Sequence, residues 1–254
     1  MPDFSTPAVL LRRVEYGDYD LILTFFTRSE GKIPVIAKSA KKSVKRFGGM
    51  LELFSLLNIV CATGPGRRLP LLRETSLDAG LPKLAADITK TAIAGYWAEI
   101  VNEWSEEGKQ QIHLYHLLRY ALIELNRGEI PPPVLSMAFQ MKFLSLAGLA
   151  PNLTDCQACN RKITDMEGNH LSFNIKTGRL TCSQCQKTTT EGLHLTKGTV
   201  RQLQWMDRIP LNQVSRIRCL PQAIKEGQAF LETFLPHHLG KRPKSLDFLN
   251  KIRS

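Results

Sequence analysis

A chain of 254 residues exceeds a typical domain of about 150, so two or three compact units are expected. Its 43% hydrophobic and 22% charged residues suit a globular protein. No stretch reaches the roughly 20 apolar residues that cross a bilayer, and no basic segment leads into an apolar run at the N-terminus, so a soluble, cytoplasmic protein without membrane contact is expected. The net charge of +11 favours polyanionic partners, most often nucleic acid.

The first 75 residues show closely spaced strand-like runs at Ala8 to Arg13, Leu21 to Thr27, Lys32 to Ala37, Leu51 to Ala62 and Leu69 to Thr75. Turn signals at Tyr16-Gly17-Asp18, Ser29-Glu30-Gly31, Gly48-Gly49 and Gly64-Pro65-Gly66 separate them, which predicts a five-stranded meander or a small barrel of the OB type. Positive charge gathers in the same region. Arg28, Lys32, Lys38, Lys41, Lys42, Lys45 and Arg46 face a single acid, Glu30, a net +6 in 19 positions. These seven residues are the candidate phosphate contacts, with Lys41, Lys42, Lys45 and Arg46 the densest group. Phe47 beside Gly48-Gly49 offers either a stacking surface or an anchor for the loop.

After Gly80-Leu81-Pro82 the hydrophobic period changes from two to 3.6. Ile93, Trp97, Ile100, Val101 and Trp104 line one helical face, and Leu114, Leu117, Leu118, Ala121, Leu122 and Leu125 another; Val134 to Ala147 is apolar nearly all round, as in a central bundle helix. Helical spacing resumes at Leu220, Ile224, Leu231, Phe234 and Leu235 and ends in a loop at Pro236-His237-His238; Ser245 is placed to cap a short last helix with Leu246, Leu249 and Ile252. The organisation expected is α+β and multidomain: an OB-type barrel over 1–79, a helical bundle domain over 80–151 and 187–254, and a four-cysteine zinc module inserted at 152–186. The polar Lys187 to Glu191 stretch follows that module.

Cys156, Cys159, Cys182 and Cys185 form two C-x-x-C pairs separated by 22 residues, the spacing that closes four thiolates around one Zn²⁺. Between them Leu171, Phe173 and Ile175 alternate with polar residues and Thr177-Gly178 offers a turn, so a hairpin brings the pairs together. Four sulfurs leave no open coordination position. One structural ion is therefore expected, holding a segment too small to bury its own core. A disulfide framework suits secreted chains instead. Cys61 and Cys219 read as inert packing residues.

Catalytic patterns are lacking: the sequence has no H-E-x-x-H, no G-x-S-x-G, no P-loop and no H-x-E element of a zinc deaminase. His113 and His116 read as polar-face residues of a helix. A non-enzymatic binding protein is the expectation, with an RNA-binding or ribosome-associated OB and zinc-ribbon protein as the alternative and a zinc-dependent hydrolase as the remaining one.

Asp20-Leu21-Ile22-Leu23-Thr24-Phe25-Phe26-Thr27, Gly31-Lys32-Ile33, Ala37-Lys38-Ser39-Ala40-Lys41 and Lys45-Arg46-Phe47-Gly48-Gly49-Met50-Leu51-Glu52-Leu53-Phe54 together resemble the bacterial recombination mediator family RecO. The likeness continues through the helical region to at least Cys185. Two departures stand out: Ser39 where the family usually has glycine, and Leu53 where it usually has proline. The resemblance implies a nucleoid-associated DNA-repair and recombination factor that binds single- and double-stranded DNA, anneals complementary strands and works with RecR. It also implies binding of the acidic, apolar C-terminal tail of the single-stranded DNA-binding protein and indirect assistance to RecA; the helical domain combines an apolar bundle with basic groups such as Arg119 and Arg127, a pairing that suits such a tail. Some family members lack the cysteines, which implies a metal that supports the fold.

Overall fold

The structure is a computed structural model that describes residues 3–64, 66, 68–186 and 192–253, with the side chains of 44 and 45 outside that description. The expected polar stretch Lys187 to Glu191 and Pro65 of the Gly64-Pro65-Gly66 turn also lie outside it. Contacts group the chain into two units, Met1–Arg127 with Pro243–Ser254, and Gly128–Arg242. This cut runs differently from the expected helical domain of 80–151 with 187–254. The helices up to Arg127 and the last helix share a unit with the barrel, whereas the remaining helices share one with the cysteines.

In the first unit β1 (Asp3–Tyr16), β2 (Asp20–Thr27), β3 (Gly31–Ala37), a short α1 (Val44–Phe47), β4 (Leu56–Ala62) and β5 (Leu71–Ala79) follow in order. Their spatial order, β1-β2-β3-β5-β4 with β4 returning to β1, closes a barrel and replaces the meander. Strict alternation drives it: Leu21, Leu23 and Phe25 of β2 and Ile33, Val35 and Ala37 of β3 point inward and are buried, each large one contributing about 1.5–3 kcal/mol. A bulge between Leu10 and Arg12 in the β1–β2 register lets both Leu10 and Leu11 be buried. The run Leu51 to Ala62 is not one strand, since Phe54 takes a φ of +69° and pairing begins only at Leu56.

Three helices, α2 (Pro82–Ala85), α3 (Ile88–Trp104) and α4 (Ile112–Arg127), follow in this unit, and the expected stripes of α3 and α4 form its second core. Asp87 caps α3 by accepting from the N–H groups of Thr89 and Lys90. Phe26, which points outward from the barrel, is buried against Tyr115 of α4.

The second unit is built on α5 (Pro132–Leu146), buried nearly all round as its sequence predicts. A four-stranded sheet of β6 (Asn152–Cys156), β7 (His170–Asn174), β8 (Arg179–Cys182) and β9 (Leu193–Thr196) follows in the order β6-β8-β7-β9. The β7–β8 hairpin turns at Gly178, with φ +66°. Helices α6 (Lys197–Arg208) and α7 (Pro221–Leu239) pack on α5. Pro236 does not end α7: the helix continues through His237 and His238 to Leu239 because Leu235 and Pro236 are both buried, and Gly240 terminates it at φ +70°.

The last helix, α8 (Lys244–Arg253), belongs to the first unit and packs on α3. Ser245 lies inside it and is not its cap. The cap comes from α3, where the Glu99 carboxylate accepts from the backbone N–H groups of Lys244 and Ser245, at 3.1 and 2.8 Å, and from the Ser245 hydroxyl.

Candidate nucleic-acid interface and metal centre

The two C-x-x-C pairs sit on two tight turns at the ends of β6 and β8. The Cys156 carbonyl accepts from Asn160 N–H, and the Cys182 carbonyl from Cys185 and Gln186 N–H, so each turn folds back over its first cysteine. Asn160 takes the left-handed φ of +57° that the first turn requires. Parallel pairing of β6 with β8 sets Cys156 opposite Leu180 and thereby brings the turns together. The four sulfurs lie within 4.8 Å of one another, Cys156 and Cys182 buried, Cys159 and Cys185 half-buried.

The Cys159 and Cys182 sulfurs are 3.9 Å apart. A disulfide needs about 2.05 Å, whereas zinc–thiolate bonds of about 2.3 Å on a tetrahedron put sulfurs about 3.8 Å apart. The four cysteines could therefore hold one metal ion and are consistent with a zinc site. Their acidities are split: burial alone would raise the Cys156 thiol, but backbone N–H groups of Cys182, Cys159 and Ala158 bring it to about 6, while the hydrogen bonds of Cys185 with Cys182 and Cys159 push it up to about 12. Arg161 and Glu167 reinforce the turns by meeting Gln184 from either side, at 2.5 and 2.7 Å. Cys61 and Cys219 stand apart from the cluster; burial pushes the Cys61 thiol to about 12 and raises that of Cys219.

The segment carrying the cysteines shares its core with chain outside it. Phe173 of β7 packs edge-on against Phe230 and Phe234 of α7, at 4.7 and 5.3 Å between ring centres, and β9, which lies beyond the expected module, pairs with β7. This agrees with the expectation of a segment too small to bury a core alone, since the other half comes from a helix some fifty residues later.

The basic run separates into two places. Arg28 stands at the β2–β3 turn, whereas Lys38, Lys41, Lys42 and Arg46 stand at the far end of β3, whose seven residues span roughly 20 Å. Lys32 is turned into the fold, its ammonium donating to the Asn102 carbonyl at 2.7 Å. Within the exposed group, Lys38 pairs with Asp20 at 2.7 Å and Lys41 with Glu15 at 2.8 Å. Lys38 as the leading cause draws the Asp20 carboxyl below its ordinary value, and Lys41 does the same for Glu15. The Lys42 ammonium lies 3.4 Å from the centre of the Tyr19 ring. Arg46 donates to Ser43 and to the Lys38 carbonyl and lies over the Phe47 ring. The side chain of Lys45 is outside the described residues.

Phe47 is buried in the barrel core, so it anchors the loop and offers no stacking face. Ser39, at the departure from the family pattern, has φ +53°, a left-handed conformation that glycine adopts freely; its N–H is held by Asp20 at 2.8 Å. Leu53 is about half exposed, so the second departure meets no packing constraint. Arg119 and Arg127 are engaged by Asp78 and Glu124 at 2.9 and 2.6 Å. Sequence reasoning missed Glu15, Tyr19 and Asp20, which organise the cations. The register signals them, since β1 and β2 end opposite each other at Tyr16 and Asp20, just where β3 delivers Lys38.

A closed five-stranded barrel followed by helices and a four-cysteine sheet meets a family match over most of the chain. The model described as Recombination protein O N terminal covers residues 1–79, and that described as Recombination protein O C terminal covers residues 85–247. The chain belongs to the RecO family of DNA repair proteins. A DNA repair protein RecO of Desulfatibacillum aliphaticivorans is 41% identical over 254 residues, covering all of this chain and 98% of the relative. Those of Desulfosudis oleivorans and Syntrophus aciditrophicus are 38% and 31% identical, over 100% and 98% of this chain and 99% and 96% of theirs. The barrel lies in the N-terminal match and the four cysteines lie in the C-terminal one. Among the described residues no helix is long and apolar enough to cross a membrane.

Proposed function

We propose that this RecO-family chain is a non-catalytic recombination mediator that binds single- and double-stranded DNA through the basic end of its barrel and anneals complementary strands. The observation that carries this reading is the group Lys38, Lys41, Lys42 and Arg46, exposed together at one end of a closed OB-type barrel. Such a surface lowers the repulsion between two anionic strands and concentrates them, after which base pairing supplies the driving force. No acid or base is required. Arg28, about one strand length away, serves a longer footprint, and Lys32 serves the fold.

In this reading the four cysteines hold one structural Zn²⁺, whose chemistry is to neutralise and clamp thiolates. The partners are RecR, the C-terminal tail of the single-stranded DNA-binding protein and, indirectly, RecA, at work on cytoplasmic DNA. A family whose members are named for DNA repair favours DNA over RNA.

The test is an annealing assay with bare and protein-coated complementary strands, run beside the variant with Lys38, Lys41, Lys42 and Arg46 changed to Ala. Faster annealing that the variant loses together with single-strand affinity is expected. Unchanged affinity of the variant at moderate salt overturns the assignment of these residues, preference for RNA in a competition of matched oligonucleotides overturns the substrate, and strand cleavage by the purified protein overturns the non-catalytic reading.

A further inference from the structure

Two buried nitrogens in the second unit have no hydrogen-bond partner within the protein, and both belong to residues that line one concavity. They are Nε of Arg179, at the start of β8, and Nε2 of His238, in the last turn of α7. A buried polar atom without a partner is costly, and two of them around one space point to a ligand. The concavity has a volume of about 550 Å³, within the range of roughly 300–1,000 Å³ typical of ligand pockets. The loop after α5 forms one side, the β7–β8 turn from Lys176 to Arg179 another, and Phe234 with His238 the third.

The turn is held by its own bonds. Asn174 accepts from Thr177 N–H through its side chain, at 3.1 Å, and from Gly178 N–H through its carbonyl, at 2.9 Å; Gly178 in turn accepts from Asn152 N–H at 2.8 Å. The Thr177 hydroxyl donates to the Gln157 side chain at 2.9 Å, which ties the turn to the first cysteine pair. On the helical side the His238 ring stands edge-on to Phe234, with 4.4 Å between centres, and Phe234 is fixed among Phe173 and Phe230. Both orphaned nitrogens are therefore carried by side chains that the surrounding structure positions.

The chemistry of these walls selects the ligand. Lys176 and Arg179 bring two cations, and no carboxylate is among the described residues that line the space. Asp155 engages only part of Arg179: it accepts from Nη2 at 2.9 Å and leaves Nε without an acceptor. Burial, with the neighbouring His237, lowers the His238 pKa from 6.5, so near neutral pH the ring is uncharged and offers one N–H. A planar carboxylate is best met by a whole guanidinium fork, and Asp155 already takes part of this one. An ammonium, one guanidinium N–H and one imidazole N–H from separate elements suit the several oxygens of a tetrahedral oxyanion better.

We propose that this concavity binds a phosphate monoester, with Lys176, Arg179 and His238 donating to its oxygens and the body of the ester lying toward Leu149 and Phe234. The site belongs to a different unit from the barrel cations, so it stands or falls independently of the DNA-binding reading. The same chemical group occurs on a free mononucleotide and at the 5′ end of a strand, and the experiment separates these sources.

The test titrates the full chain with inorganic phosphate and with thymidine 5′-monophosphate, followed by calorimetry and by the imidazole NMR signals of His238. Both ligands are expected to shift those signals saturably, whereas acetate and thymidine leave them in place. Lys176→Ala, at an exposed position that the fold does not need, and His238→Phe should each weaken binding about tenfold. His238→Gln, which restores a donor, should recover most of that loss, and changing Lys38, Lys41, Lys42 and Arg46 to Ala should leave the affinity unaltered. A 5′-phosphorylated strand that outbinds its 5′-hydroxyl twin in the parent, but not in His238→Phe, assigns the ester to strand ends. Equal binding of the twins, beside saturable binding of the mononucleotide, assigns it to a free nucleotide. The proposal is overturned by the absence of a saturable His238 shift with either phosphate, by equal binding of acetate, or by phosphate binding that Lys176→Ala and His238→Phe both leave intact.

Discussion

There is no room for a Cβ on Gly31 against the backbone carbonyl of Lys109, because the β2–β3 turn lies directly on the loop between α3 and α4. Gly31 also has φ +66°, and Gly108 N–H donates to the Lys32 carbonyl at 3.0 Å beside it. The Gly31-Lys32-Ile33 motif thus serves the docking of barrel on helices. Gly31→Ala should lower stability by on the order of 2–3 kcal/mol, combining left-handed strain with displacement of backbone. A urea midpoint within error of the parent would refute this.

Freeing Lys38 should strengthen DNA binding. Asp20→Asn removes the charge that now holds the ammonium at 2.7 Å but keeps an acceptor for Ser39 N–H. Single-strand affinity at low salt is expected to rise a few-fold, and the dependence of log K on log salt to steepen by up to about 0.7, one additional phosphate contact. Titrations at four salt concentrations measure both, and an unaltered slope would show that Lys38 meets no phosphate.

Metal removal should loosen the second unit without dissolving it, since Phe173, Phe230 and Phe234 form a core independent of the sulfurs. The purified protein is expected to carry about one zinc ion per chain, and Cys182→Ser to lose it. The thermal midpoint should then fall while binding to single-stranded DNA survives. Full metal content in Cys182→Ser, by elemental analysis, would reject the four-sulfur site.

Glu226 supplies a pH-dependent tie. Its carboxylate accepts from Thr196 N–H and from the hydroxyls of Thr196 and Thr199, at 2.8, 2.9 and 2.5 Å, joining α7 to the start of α6. Burial pushes its pKa up, but these hydrogen bonds, with one from Gln222, outweigh burial and lower it from 4.5. A depressed folded value means stability that is present above the unfolded value and is lost as pH falls through the folded one. Glu226→Gln should cost about 1–2 kcal/mol at pH 7. The gap from the parent should close below about pH 4, the range of an ordinary glutamate. A gap that persists in acid unfolding curves would show a role in packing instead.

Much of this architecture was legible because it is periodic. Alternation in Leu21 to Ala37 gave β2 and β3 nearly to the residue, and the stripes through Trp97 and Leu118 gave α3 and α4. What escaped depends on partners distant in sequence. Glu99 caps a helix 145 residues later, which leaves Ser245 free to sit within it. Pro236 stays helical because its surroundings bury it. The spacing of the cysteines announced their cluster, whereas the cations were legible only as a composition. Which of them face water and which face Asp20, Glu15, Tyr19 or Asn102 is decided by strand register and turn geometry.

The placement of α8 beside α3 has a consequence for biosynthesis. Residues 244–253 emerge from the ribosome only after all of Gly128 to Arg242, yet they belong to the unit that contains the barrel. The barrel's own helices must wait, with part of α3 uncovered, until α8 has emerged. The later unit can assemble first.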